Sequence, residues 1–329
     1  TTTLLSEFLK AEGKTVHLGG NIGRPLLPEI ESISPDHVVV AELSSFQLIS
    51  MRQGPDVAVV TNLAPNHLDI HKDMDEYVDA KKNLVLHQDG FSRTVLNAEN
   101  EITAGFKDLL RGDCWQFSRV TEPARGAFCD GEKITVNGQP LMNVEEIKLP
   151  GWHNVENYMA AIAAAWGDVS PENMRKVARE FGGVEHRMEF VRELGGVKYY
   201  NDSIASSPSR TISGTLSCYD KNLILICGGY DKHIPYDPLG THICERVKEL
   251  ILMGDTAEKI EQAVVSCPEY SEGLPSIHHV SDMPGAVALA HKLAAPGDVV
   301  SLSPASASFD LYPGFEARGR HFKELVNRL

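Results

Sequence analysis

Five short apolar runs in the second half of the chain, VKYY, NLILIC, ELILM, SIHHV and DVVSLS, alternate with segments of helical spacing. Apolar runs without polar alternation fit strands covered on both faces. Strands separated by helices imply parallel pairing through βαβ crossovers. The pattern restarts at Gly182-Gly183 and predicts a Rossmann-like α/β domain over residues 184–329.

Residues 1–183 carry the same signature less regularly. HVVVAEL (37–43) and VAVVTNL (57–63) read as buried parallel strands, adjacent to one another, with a short helix in SSFQLISMRQ between them. Residues 4–12 read as helix with Gly13 as its C-cap. MDEYVDAKKNLVLHQ (74–88) places Tyr77, Lys81 and Val85 on one helical face. Between 94 and 149, short alternating segments and the Asn137-Gly138 pair predict a small antiparallel β appendage. NVENYMAAIAAAWG (154–167) reads as an Ala-rich helix with Asn154 near its start.

The length of 329 residues fits two domains. Lys and Arg total 31 against 45 Asp and Glu, a net charge of −14, which argues against nucleic acid as the main partner. No apolar run reaches the ~18–20 residues of a membrane span, and no signal peptide opens the chain. The cysteines at 114, 129, 218, 227, 244 and 267 form no C-x-x-C pair and read as free thiols of a reducing cytosol. A cytoplasmic monomer is expected.

In open parallel sheets, ligands bind beyond the carboxyl ends of the strands. Glu42 ends the first apolar run, and Asn66, His67 and Asp69 follow the second. An apolar strand ending in an acid is the Walker-B arrangement of P-loop enzymes, where the carboxylate helps hold magnesium. Singly, such an acid is more often a cap, a histidine as often a core residue, and Lys81 on a helix usually solvated. Two strand ends carrying an acid and a histidine make the stronger pattern. His153, Asn154 and Asn157 surround a helix start, where free N–H groups favour anions; a plain N-cap fits equally. In the second half Asn201, Asp202 and Ser203, then Gly228-Gly229 with Tyr230, Asp231 and Lys232, then Ser306 and Ser308, each follow a strand.

GGNIG (19–23), ELSSFQL (42–48), NHLD (66–69), YVDAKK (77–82), HNVENYMAA (153–161), EHRME (185–189), NDSIAS (201–206), GGYDK (228–232) and SPASASFDLYPGFEARGRHF (303–322) resemble the Mur ligases, in order along nearly the whole chain. ELSSFQ and the SPASASFD…FEARG block are most similar to the members that add D-glutamate. The resemblance implies a central P-loop ATPase domain followed by a Rossmann-like ligase domain. The implied reaction joins D-glutamate to UDP-N-acetylmuramoyl-L-alanine through an acyl phosphate, using ATP and two magnesium ions, in peptidoglycan precursor synthesis. Matched by position, Glu42, His67 and Lys81 would be catalytic and would hold magnesium, Lys81 as a carbamate. Asn154, Asn157, Arg187 and Asp202 would bind ATP. Asn21 would contact the muramoyl substrate, and Ser206, Lys232, Ser308 and Phe315 would frame D-glutamate.

Two departures stand out. The P-loop glycines and lysine, and the UDP-binding domain of the family, are not in the sequence; TTTLL looks like a helix cut just after such a loop, so little ligase activity is expected of this chain alone. Ile204 stands where many relatives have a lysine, with Arg210 as a candidate substitute for the charge. The competing expectations are a folylpolyglutamate-type ligase, a generic P-loop kinase or ATPase, and a non-catalytic nucleotide-binding scaffold. The SPASASFD block opposes the first, the second Rossmann-like domain the next, and the retained Glu42, His67, Lys81 and Asp202 the last.

Overall fold

Amphipathic spacing sets the first helix: Leu4, Phe8 and Leu9 are buried along one side of α1 (Thr2–Ala11), and the chain leaves it through Gly13 at φ +84°. The computed structural model describes residues 1–22, 25–64, 71–271 and 273–329. They fall into two compact units, Thr1–Phe181 and Gly182–Leu329.

In the first unit, β1 (Val16–Gly20) runs parallel to β2 (Val38–Glu42), with Gly20 opposite Glu42. A Cβ on Gly20 would stand 2.3 Å from the Glu42 carbonyl oxygen, so only glycine lets the strand ends close. Next comes α2 (Ser45–Leu48), which Ser44 and Gln47 cap reciprocally. A six-stranded sheet then forms in chain order from β3 (Val57–Val60), β4 (Arg93–Asn97), β5 (Asp113–Ser118), β6 (Gly126–Cys129), β7 (Lys133–Val136) and β8 (Gln139–Asn143). Among the described residues, α3 (Met74–Leu86) lies between β3 and β4, and α4 (Glu101–Ala104) between β4 and β5. The Ala-rich helix α5 (Trp152–Ala165) packs on both this sheet and α1, with Ala160, Ala161 and Ala163 fully buried; α6 (Pro171–Glu180) follows. Alanine's small side chain lets the helix approach the strands closely.

Two expectations change here. β2 pairs with β1 in a separate two-stranded sheet and β3 pairs with β4, so β2 and β3 are not hydrogen-bonded neighbours. Nor is β2 covered on both faces, since Val39 is 45% exposed. An apolar run reports the hydrophobicity of a strand but not its pairing partner. The antiparallel part is also narrower than 94–149: β4, β5 and β6 extend the parallel sheet, and only β6–β7–β8 are antiparallel. Asn137 (φ 50°) and Gly138 (φ 76°) make the two-residue turn between β7 and β8.

The second unit contains β9 (Glu189–Leu194), β10 (Val197–Asn201), α7 (Pro208–Ser213), β11 (Leu223–Cys227), α8 (Leu239–Arg246) and β12 (Val247–Leu252). It continues with α9 (Ala257–Val265), β13 (Ser276–His279), α10 (Met283–Leu293), β14 (Val299–Leu302) and α11 (Phe315–Arg328). The sheet order is β13-β12-β11-β14-β10-β9, parallel except for β9 at the edge. All five apolar runs are strands, and every residue of β11 is buried. Because β14 inserts between β10 and β11, the carboxyl ends of three central strands lie side by side, the place where such sheets bind ligands.

Candidate active site

In the first unit, the residues cluster where β2 ends. The Glu42 backbone oxygen accepts Asn21 N at 2.7 Å, and its Oε1 accepts the Asn21 side-chain amide at 3.2 Å. Its Oε2 accepts Thr2 Oγ1 at 3.5 Å, while the adjacent Thr1 hydroxyl donates to Asn157 Oδ1. The start of α1 thus bridges Glu42 and Asn157, a link that two threonines before a helix do not announce in the sequence. Asn154 is not turned the same way: its side-chain amide donates to Pro150 O at 2.7 Å and closes the turn before α5.

Lys81 is half-buried on α3 and donates to Leu43 O at 3.4 Å. Burial holds its ammonium below the ordinary lysine value, while the Glu42 charge pulls the other way. A lysine of lowered basicity has more neutral amine and is better able to take up CO2 as a carbamate, which is an oxygen ligand. His67, with Asn66 and Asp69, lies outside the described residues. Among the described residues no group of three His, Cys, Asp or Glu side chains is arranged to hold a metal. What the described residues provide here is the Glu42 carboxylate, a hard oxygen donor of the kind magnesium prefers, with the half-buried Lys81 within reach of its charge.

In the second unit Asp202 follows β10 and is 3% exposed. Its Oδ1 accepts Met188 N at 3.2 Å, and its Oδ2 accepts Thr215 Oγ1 at 3.0 Å and Ser303 Oγ at 2.8 Å. Burial pushes the carboxyl up to about 6, against the hydrogen bonds and the charge of the exposed Arg187. These three hydrogen bonds fix the orientation of the carboxyl group.

The loops after β11 and β14 are pressed together. A Cβ on Gly229 (φ 146°) would stand 2.2 Å from Ala307 O. Ser306 and Ser308 are buried, and Ser306 Oγ bonds Tyr236 Oη at 2.9 Å and Thr256 Oγ1 at 2.8 Å. Phe315 opens α11; its carbonyl accepts Ser203 Oγ at 2.8 Å, and its ring meets His186 edge-on at 5.9 Å. Ser206 is half-buried and Lys232 exposed. Arg210 Nη1 donates to Ile204 O at 3.4 Å, so a guanidinium does lie beside Ile204.

Sequence reasoning passes over Arg318, which ties these loops together. It is 1% exposed and donates to Ser203 Oγ (3.0 Å), Ser203 O (2.9 Å), Ser306 O (3.1 Å) and Ala307 O (2.8 Å). Burial lowers its guanidinium to about 10, still protonated at neutral pH. One arginine on an amphipathic helix reads as solvated; its place in the FEARG block was the available signal.

The pattern of the Mur ligase middle domain matches residues 1–165, and that of the Mur ligase glutamate ligase domain matches residues 186–306. A UDP-N-acetylmuramoylalanine–D-glutamate ligase of Clostridium botulinum (strain Alaska E43) is 52% identical over 330 residues, covering 100% of this chain and 72% of that protein. The chain belongs to the Mur ligase family. The ligase of the same name from Clostridium botulinum strain Hall is 48% identical over 329 residues, with coverage of 100% and 72%. Among solved Mur ligases, a UDP-N-acetylmuramoyl-L-alanyl-D-glutamate–2,6-diaminopimelate ligase superposes with a TM-score of 0.68 at 18% identity, covering 92% of this chain and 69% of that one. The UDP-N-acetylmuramate–alanine ligase of Thermotoga maritima gives 0.63 at 17% identity, covering 97% and 77%. At these identities the two structures speak for a shared Mur ligase fold.

Proposed function

We propose that this chain serves the ATP-dependent joining of D-glutamate to UDP-N-acetylmuramoyl-L-alanine. The observation that carries the reading is 52% identity along the whole chain to a ligase named for that reaction. The substrate carboxylate attacks the γ-phosphorus of ATP, ADP leaves, and an acyl phosphate remains. The neutral amine of D-glutamate then attacks the acyl carbon, the tetrahedral adduct expels phosphate, and the nitrogen gives up a proton to solvent or the departing phosphate to leave the amide.

Two anions must meet in the first step, so cations have to offset their repulsion. Glu42, His67 and Lys81, the last as a carbamate, would hold magnesium, which would supply that charge. The Asn21–Glu42 hydrogen bonds fit a role in orienting the carboxylate and presenting the muramoyl substrate. Asn154, Asn157, Arg187 and Asp202 would hold the nucleotide, with the Asp202 carboxylate suited to ribose hydroxyls. Ser206, Lys232, Ser308 and Phe315 would frame D-glutamate, with Lys232 pairing a carboxylate. Six free cysteines suit a reducing compartment such as the cytoplasm, where nucleotide-linked precursors are made.

The test is ADP release by the complete gene product with ATP, magnesium and UDP-N-acetylmuramoyl-L-alanine. D-Glutamate, L-glutamate, L-alanine and L-lysine are offered in turn. Turnover with D-glutamate alone is expected. Turnover with another acceptor overturns the substrate assignment, and none with any acceptor overturns the ligase reading.

A further inference from the structure

Ser45, His71 and Glu76 lie in a row that the reaction above leaves unused, the first two joined by a hydrogen bond and the last two by a charge contact. Ser45 Oγ lies 2.8 Å from His71 Nε2, and His71 Nδ1 lies 3.4 Å from Glu76 Oε2. The His71 ring stacks on Phe46 (4.9 Å, 4°) and tilts against Tyr77 (5.4 Å, 56°). Glu76 is held in place on both sides: its Oε2 accepts Lys72 N at 2.7 Å, and its own N donates to Asp73 Oδ1 at 2.9 Å. The order hydroxyl–imidazole–carboxylate is that of a nucleophilic triad. Here, however, Ser45 is 2% exposed and His71 3%, so no substrate carbonyl can reach the hydroxyl. The row is structural in its chemistry.

Its position gives it a role. Ser45 stands three residues after Glu42, at the start of α2, and His71 and Glu76 flank the start of α3, which carries Lys81. Helix α3 is fastened to the segment after β2 at three levels. His71 bonds Ser45, Lys81 reaches Leu43 O at 3.4 Å, and Asn83 Nδ2 donates to Leu48 O at 3.0 Å and Ile49 O at 3.3 Å. Lys81 therefore sits between two anchors, of which the one at His71 is buried.

We propose that His71 is a positioning residue that, with Ser45 and Glu76, sets the separation between Glu42 and Lys81. The inference rests on the reading of Glu42 and Lys81 as the magnesium-holding pair. A ligand pair displaced by even an ångström loses much of its catalytic value, so the loss should fall on kcat and on cation affinity.

The complete gene product carries the test in four variants: His71→Phe, His71→Gln, Ser45→Ala, and the double variant Ser45→Ala/His71→Phe. Phenylalanine keeps the ring between Phe46 and Tyr77 but has no ring nitrogen. Glutamine can return a partner to Ser45. The double variant removes the hydroxyl that His71→Phe leaves buried and unpaired. Two readouts are taken: steady-state ADP release, and Mn2+ binding without nucleotide, followed by loss of the free-ion paramagnetic resonance signal. His71→Phe is expected to lower kcat about 10- to 100-fold with KM for D-glutamate within about twofold, and to weaken Mn2+ binding about 5- to 10-fold. His71→Gln should recover part of kcat. The double variant should recover Tm without recovering kcat. Wild-type kcat and Mn2+ affinity in a folded His71→Phe overturns the role of His71; if that variant does not fold, Ser45→Ala at wild-type values does the same. A wild-type protein that neither binds Mn2+ nor turns over overturns the underlying assignment of Glu42 and Lys81 instead, so the two failures are distinguishable.

Discussion

A carboxylate as deeply buried as Asp202 is costly to ionise, and its three hydrogen bonds offset only part of that cost. Its folded value of about 6 lies above the ordinary aspartate value of 3.8, so between these values the folded chain holds a proton that the unfolded chain has lost. The stabilisation is fully present below about pH 4 and is lost as pH rises through about 6. A rise of this size corresponds to about 3 kcal/mol at most. Asp202→Asn removes this titration. Its amide oxygen can still accept Met188 N, and its amide nitrogen can donate to the Thr215 and Ser303 hydroxyls. Urea unfolding between pH 4 and pH 7 should therefore give a flatter stability profile for the variant, with the two proteins differing most near neutrality. Parallel profiles would show that Asp202 ionises in the fold without penalty. The sequence places an acid after a strand; its burial is set by Thr215 and Ser303, which lie far along the chain and come to it only through folding.

At the scale of elements, the second unit depends on the turn after β11 meeting the loop after β14. Gly229 at φ 146° belongs to a region that side chains rarely adopt, and a Cβ there would stand 2.2 Å from Ala307 O and 3.0 Å from Arg318 Nη1. Gly229→Ala should cost on the order of 2–4 kcal/mol, combining backbone strain with overpacking. It should also separate the two loops that carry Lys232 and Ser308. A lowered urea midpoint at unchanged m is the expected result; an unchanged midpoint would mean that the loops have room to move. The strands that feed these loops were legible because β11 and its neighbours are buried along their length, so their apolar runs are continuous. The edge strand β9 was not foreseen, since EFVREL mixes charged and apolar residues and its burial is partial. The same limit hid the His71–Ser45 contact: a histidine and a serine 26 residues apart give no local signal. Glu42 and Lys81 were readable as candidates from the motifs that hold them, whereas the Thr1 and Thr2 links to Asn157 and Glu42 arise from packing of α1 beside α5.

Among the described residues each hydrophobic cluster lies within a single unit, two in Thr1–Phe181 and two in Gly182–Leu329. A unit with its own core and a complete sheet has what it needs to fold by itself. The second unit has both, with β11 and β14 at the centre of a six-stranded sheet and helices contributing to both of its clusters. The three tryptophans, Trp115, Trp152 and Trp166, all fall in the first unit, so indole fluorescence reports that unit while far-ultraviolet circular dichroism reports both. If the units unfold separately, the two probes should trace non-superimposable curves on heating, because coincident transitions are the mark of two-state behaviour. Residues 182–329 expressed alone should then melt within about 5 °C of the step that the fluorescence does not register, a difference equivalent to about 1–2 kcal/mol for a unit of this size. Coincident curves, together with a second unit that stays unfolded in isolation, would show instead that the 329 residues fold as one cooperative body.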